Sequence, residues 1–219
     1  MSKKKSKNRN DYISEYSKYK DVPEDKQERL DYVFKILKIT ERDKDNMDKM
    51  IDEIKHLRKT TKKSINMVFY IVPEGISRPR KGRFGFYVPN IKKFYDCMDD
   101  YLSIHSDLCN LNIFSECKMD LKYYLPIPSD MRKLEKVLAE MKFIKCIKKP
   151  DWDNLGKGSD MFHRLWVDDS LVTDSRVRKY YSFKPRIEVK ITYYSTHCNS
   201  YHKLCIEKMK KRMEGLLCN

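Results

Sequence analysis

The chain lacks what would tie a protein to a bilayer or to an oxidising compartment. Its longest unbroken apolar run is MVFYIV at residues 67–72, far below the roughly 18 residues of a membrane-spanning helix. The opening MSKKKSKNRN is basic but has no apolar stretch behind it, so a secretory signal is not expected. Seven cysteines, at 97, 109, 117, 146, 198, 205 and 218, include no CxxC pair. A disulfide framework is therefore not expected, and reduced thiols in a soluble, cytoplasmic protein fit better. Glycine is scarce, with 6 in 219 residues, and acids are too few for the bases: 32 Asp and Glu against 47 Lys and Arg, a formal charge of +15. An AT-rich genome would produce part of the lysine excess. The rest points to a polyanionic partner, of which nucleic acid is the commonest and an anionic membrane surface the rival.

What is present falls into four segments. Residues 1–22 are polar, basic and dotted with tyrosine, and read as a flexible arm. Residues 23–62 hold two amphipathic helical patterns. The first places Leu30, Val33, Phe34 and Leu37 on one face behind N-terminal acids; the second follows Thr40 with Met47, Met50, Ile51, Ile54 and Leu57. Residues 63–195 mix strands and helices. INMVFYIV reads as a strand, PEGISRPRKGRFGFYVPN as a basic loop, residues 90–104 as a helix, and CKMDLKYYL as a half-buried strand. PIPSD ends that strand and caps a helix whose face is Leu134, Val137, Leu138 and Met141. FIKCIKK reads as a short strand, followed by LVTDSRVRKYYS and RIEVKITYY as two more. Residues 196–219 form a basic helix with Leu204, Met209, Met213 and Leu216 on its apolar side. The expected fold is α+β, a mixed sheet with packed helices, extended by the N-terminal helical pair and the C-terminal helix.

The acids that do exist gather in KKPDWDNLGKGSDMFHRLWVDDSLV, residues 148–172. Asp151 and Asp153 lie two residues apart, which on extended backbone turns both carboxylates to one side. Pro150 favours extended or turn backbone before them. With a helix starting near Asn154, Asp153 sits at its N-cap and Lys157 one turn along. Asp168 and Asp169 open the next strand. Three carboxylates meeting at a strand end would make a hard-oxygen site for Mg²⁺, with Mn²⁺ as a substitute. In a basic, phosphate-attracting chain such a cation would bridge carboxylates and a scissile phosphate, with Lys157 steadying the phosphoryl oxygens. The HCNSYHKLC segment offers His197, Cys198, His202 and Cys205, but without the paired spacing of a zinc site; a helix start with its cysteines packed as small apolar groups is expected.

KPDWDN, Lys157, DDSLV, then Lys179-Tyr180 and PRIEVKI resemble the RusA family of Holliday junction resolvases of bacteria and their phages. The similarity runs from about Ile65 to Tyr193. It implies a Mg²⁺-dependent endodeoxyribonuclease acting as a homodimer on four-way DNA junctions, with Asp151, Asp153 and Asp169 as metal ligands and Lys157 as their catalytic partner. Asp168 is expected to cap rather than coordinate. Arg78, Arg80, Lys81, Arg83, Lys149 and Lys179 are the candidate DNA contacts. The segment from Lys157 to Asp169 is shorter than the family pattern and carries KGSDMFHRLW where an apolar helix is usual. Gly156 and Gly158 each weaken helix by about 1 kcal/mol relative to alanine, so that helix should be short or irregular. Phe162 and Trp166 are expected in the core, Trp152 is the best candidate for contact with bases, and His163 is not expected to act as a base.

Overall fold

The computed structural model describes residues 21–76, 80–82, 85–87, 91–109, 111–166, 168–197, 201–205, 207–208 and 211. The chain divides into two units, residues 1–53 and 54–219. Helix α1 (Lys26–Leu37) starts where the Asp25 carboxylate accepts from the backbone N–H groups of Gln27 and Glu28, at 2.8 and 3.0 Å. It ends where Lys38 turns left-handed, with φ 53°. Helix α2 (Glu41–Thr60) opens on a reciprocal cap. Thr40 N–H donates to Asp43 Oδ2 at 2.9 Å, and Asp43 N–H donates to Thr40 Oγ1 at 3.3 Å. Neither helix has a buried residue; their definition comes from capping and helix-forming side chains.

The larger unit contains β1 (Lys62–Phe69), the hairpin β2 (Arg80–Gly82) and β3 (Gly85–Tyr87), then α3 (Ile91–Ile104) and α4 (Ser106–Cys109). Strand β4 (Cys117–Pro126), α5 (Lys133–Glu140) and α6 (Trp152–Gly156) follow, then 3₁₀ turns at Lys157–Leu165 and Asp169–Leu171. Strands β5 (Val172–Ser182) and β6 (Arg186–Tyr194) come last in the sheet, and residues 201–205 are helical. The four-stranded sheet runs β1-β6-β4-β5, with β4 and β5 parallel and the other pairs antiparallel. This is the expected α+β mixed sheet. Parallel neighbours cannot be joined by a tight turn, so the chain must cross over between β4 and β5. The acidic motif lies in that crossover.

Alternation decides which sheet face is the core. Cys117, Met119, Leu121, Tyr123 and Leu125 of β4 are buried beside Ile187, Val189 and Ile191 of β6 and Met67 and Phe69 of β1. Phe94, Met98 and Leu102 of α3 belong to the same core, as do Met161, Phe162 and Leu165 of the 3₁₀ segment. Each such side chain contributes about 1.5–3 kcal/mol by leaving water. The irregular Lys157–Leu165 segment thus keeps its apolar payload despite its glycines. Gly158 has a reason to be glycine. A Cβ there would stand 2.8 Å from the Tyr123 hydroxyl oxygen, and that hydroxyl donates to the Leu155 carbonyl at 2.8 Å in the buried interior.

Four local expectations are corrected. FIKCIKK forms no strand. Phe143 and Ile147 are 71% and 88% exposed, so the apolar alternation there meets no sheet. The basic loop after β1 contains the β2–β3 hairpin. The α5 helix starts at an Arg132 N-cap rather than in PIPSD, with Glu135 accepting from the Arg132 N–H at 2.8 Å. Its anticipated core face, Leu134, Val137, Leu138 and Met141, is exposed.

We expect Gly158→Ala to destabilise the protein by about 1–3 kcal/mol through overpacking. The cost should shrink in a Tyr123→Phe background, which removes the oxygen that the new methyl strikes. Urea unfolding of the two single variants and the double variant measures this; strictly additive losses would refute it.

Candidate active site

The acidic motif is held from several sides while its carboxylates stay in water. The Lys149–Pro150 peptide is cis. Lys179 of β5 extends its ammonium to the carbonyls of Lys148 and Pro150, at 2.9 and 3.1 Å. Trp152 Nε1 donates to the Val177 carbonyl at 3.2 Å, and Ile76 N–H donates to the Asn154 carbonyl at 3.0 Å. Gly75 packs against Pro150 so closely that a Cβ would fall 2.7 Å from the proline Cβ. Leu155 is fully buried, its carbonyl bound by Tyr123. Burial pushes the Tyr123 hydroxyl pKa well above the ordinary tyrosine value, so it remains a proton donor to that carbonyl. Burial likewise raises the Cys146 thiol, which suits a packed rather than a reactive cysteine.

Helix α6 begins at Trp152, two residues earlier than the sequence suggests. Asp151 is therefore the N-cap, with φ −68° and ψ 154°, and its carboxylate makes no capping hydrogen bond. Asp153 lies within the first helical turn, so the extended backbone expected for the pair ends at Asp151. Both are exposed. Lys157 Nζ lies 3.4 Å from Asp153 Oδ2 and 3.0 Å from Asn154 Oδ1. With the Lys157 and Asp153 side chains 44% and 59% exposed, this pair adds little stability and leaves the lysine accessible.

Asp169 is placed elsewhere. It starts the 3₁₀ turn before β5 and is exposed, and Trp166 Nε1 donates to its Oδ1 at 2.6 Å. Trp166 is itself bridged to Ile113, just ahead of β4. Asp168 accepts from Ser170 N–H at 2.8 Å as the cap of this turn, the role expected of it. The Asp151–Asp153 segment instead attaches to β5 at Val177 and Lys179. Those anchor points are about 17 and 23 Å along the strand from Val172, at roughly 3.3 Å per residue. Among the described residues no three His, Cys, Asp or Glu side chains are grouped to hold a metal ion. Asp151, Asp153 and the Asn154 amide oxygen are the right donor chemistry for Mg²⁺, but the three anticipated ligands do not converge within one chain.

The other anticipated residues divide. Lys81 and Lys149 are exposed; Arg80 is in β2, with its side chain outside the described residues, and Arg78 and Arg83 lie wholly outside them. Lys179 is committed to two carbonyls and acts as a strut for the motif. Trp152 is 61% exposed, whereas Phe162 and Trp166 are 0% and 6% exposed, as their sequence context suggests. The His163 side chain and Cys198 lie outside the described residues, and His202 Nδ1 stands 3.8 Å from Glu116. Sequence reasoning overlooked Tyr123 and Gly75 as supports. The hydrophobic alternation that marks Tyr123 as core carries no sign that its hydroxyl would reach the motif.

Lys179→Met should preserve the fold and loosen residues 148–151, because both carbonyls lose their donor. A stability loss of about 0.5–1.5 kcal/mol per hydrogen bond is expected, together with faster amide exchange at Lys148, Lys149 and Asp151. Unaltered exchange in that segment would show that the strut does not hold it.

The family model described as endodeoxyribonuclease RusA matches residues 71–192, more than half of the chain and the whole span from the end of β1 into β6. The "Uncharacterized protein YqaN" of Bacillus subtilis (strain 168) is 42% identical over 77 residues, covering 33% of this chain and 54% of that protein. The chain thus spans about half the length of the curated relative it matches. The motif-bearing crossover, the parallel β4–β5 pair and most of β6 fall inside the family match, and the chain belongs to the RusA endodeoxyribonuclease family.

Proposed function

We propose that the protein is a Mg²⁺-dependent endonuclease that resolves four-way DNA junctions by paired phosphodiester hydrolysis. The observation that carries this reading is the motif itself. A rigidly supported helix start presents Asp151 and Asp153 to solvent, with Lys157 one turn along, on a chain of net charge +15. Exposed carboxylates repel phosphate unless a cation stands between them. A bound Mg²⁺ would supply Lewis acidity and neutralise charge on the scissile phosphate. Lys157 has the reach and charge to stabilise the phosphoryl oxygens. Trp152, exposed beside the acids, is suited to stacking on a base opened at the branch point.

Junction resolution needs two active sites facing two strands, which a two-fold homodimer supplies. The separation of Asp169 from the Asp151–Asp153 segment supports the same arrangement. A second copy can bring its Asp169 to the first copy's pair, completing a site that one chain leaves open. Mixing tests this directly. Asp151→Asn and Asp169→Asn should each be inactive alone, while their mixed dimer keeps one intact site. After random exchange about a quarter of all sites should be restored. If mixing restores no nicking although exchange is demonstrated, the shared-site arrangement is wrong.

On end-labelled junction DNA, Asp151→Asn, Asp153→Asn and Asp169→Asn should abolish Mg²⁺-dependent cleavage with binding intact or slightly tighter. Lys157→Ala should slow cleavage by an amount comparable to losing an oxyanion-hole donor, about 2.7–4 kcal/mol. Asp168→Asn, a cap variant, should retain substantial activity. Junction, flap and duplex substrates assayed side by side identify the preferred branch. Tight binding without nicking in either Mg²⁺ or Mn²⁺ would instead make the protein a junction binder.

A further inference from the structure

The core occupies one face of the sheet. The strand register builds the other face as an ordered grid. Across the strands Lys190, Asp120 and Arg176 align in one row, and Glu188, Lys122 and Arg178 in the next. Lys118 pairs with Asp174 in the row before them, and Arg186, Tyr124 and Tyr180 form the row beyond. Six cations, Lys118, Lys122, Arg176, Arg178, Arg186 and Lys190, thus share the face with three acids. Each acid is already engaged. Asp120 pairs with Arg178, Asp174 with Lys118 at 3.3 Å, and Glu188 with Arg186 at 2.8 Å and Lys122 at 3.7 Å. Arg176 and Lys190 are exposed and make no ion pair among the described residues. With Lys118 and Asp174 they line a shallow concavity of about 230 Å³.

We infer that this outward face of the sheet is a second DNA-contact surface, one that takes the sugar-phosphate backbone of a duplex arm independently of sequence. This inference rests on the junction-cleaving reading and adds a surface on the sheet face opposite the core. The six cations lie on β6, β4 and β5; three strands about 4.8 Å apart and six residue steps of about 3.3 Å give a patch of roughly 10 by 20 Å, long enough to follow some six base pairs. The aromatics decide between duplex and unpaired bases. Arg186 lies 3.6 Å from the Tyr124 ring centroid, and Lys142 lies 5.7 and 5.1 Å from the rings of Tyr124 and Tyr180. Those rings already carry cations, so they offer no stacking platform of the kind that binds single strands. What remains for a ligand is charge and hydrogen-bond donors, the chemistry of phosphate contacts.

The test is the salt dependence of binding a fluorescein-labelled four-way junction in EDTA, so that cleavage plays no part. Arg176→Gln/Lys190→Gln should make the slope of log affinity against log salt shallower by about 2. Between 50 and 200 mM salt its affinity should then fall about tenfold less than that of the wild type. Asp174→Asn should act in the opposite sense, tightening binding by freeing Lys118. Matching thermal unfolding confirms that the variants fold. Wild type that binds no junction overturns the junction-cleaving reading itself. Wild type that binds, with an unchanged slope in the double variant, overturns only the inference made for this face. A loss confined to single-stranded DNA overturns it too. So does a change of oligomeric state in light scattering, which would assign the face to contact between copies.

Discussion

The hydrogen bond from the Tyr123 hydroxyl to the Leu155 carbonyl is the constraint on which the site's position depends. It joins the central strand of the sheet to the last turn of the motif helix, in a place from which water is excluded. A buried carbonyl left without a donor costs about 1–3 kcal/mol, so the helix cannot slide along the sheet without losing it. The close approach fixes the next residues as well. Gly158 must pass against the tyrosine oxygen, and the Lys157–Leu165 segment then turns its apolar side chains inward as a 3₁₀ run. Lys179 and Trp152 complete the support from β5 by hydrogen-bonding to backbone carbonyls. The outcome is a well-supported base with solvent-exposed charges at its tip, a division that favours preorganised recognition.

Much of this was legible in the residues, and the reasons differ by element. β4 and β6 announce themselves through alternation, and burial follows it from Cys117 to Tyr123 and through Ile187, Val189 and Ile191. The α2 start is readable because Thr40 and Asp43 satisfy each other's backbone groups locally. Residues 143–149 mislead because apolar residues can alternate without any neighbour strand to receive them, and pairing is a tertiary fact. The Leu134–Met141 face misleads in the same way. Its helical period is correct, but period alone cannot say that a partner surface exists.

The candidate site was legible as chemistry and only partly as geometry. The acids, Lys157 and the capping role of Asp168 follow from residue type and spacing. Where Asp169 lies does not. It depends on the length of the crossover and on which end of β5 that crossover enters. A family pattern supplies a set of ligands without saying that one chain must contribute them all. The crossover also shows why the shortened Lys157–Asp169 segment is tolerated. It needs to span the core layer and deliver Trp166 to its bridge with Ile113, and nine 3₁₀ residues at about 2.0 Å each reach about 18 Å, farther than the same residues would reach as an α-helix of 1.5 Å rise.

The two charged regions follow opposite rules. On the outward sheet face every acid is matched by a cation, and the excess is positive. At the motif the Asp151 carboxylate is uncapped, and Asp153 has a single solvent-screened lysine nearby. If the acids served only solubility, nothing would require them to sit where six hydrogen-bonding and packing contacts hold the chain, since a solvated charge performs equally well on a mobile loop. If they served only to cap α6, Asp151 would bond the helix N–H groups, as Asp25 does in α1. The support is spent on positioning uncompensated negative charge inside a positively charged protein. On the proposed reading, that arrangement would lower its electrostatic cost when a hard cation and a phosphate arrive together, and would bind either one alone less well. On that reading, specificity for a metal-bridged phosphodiester would arise from charge balance before any base is read.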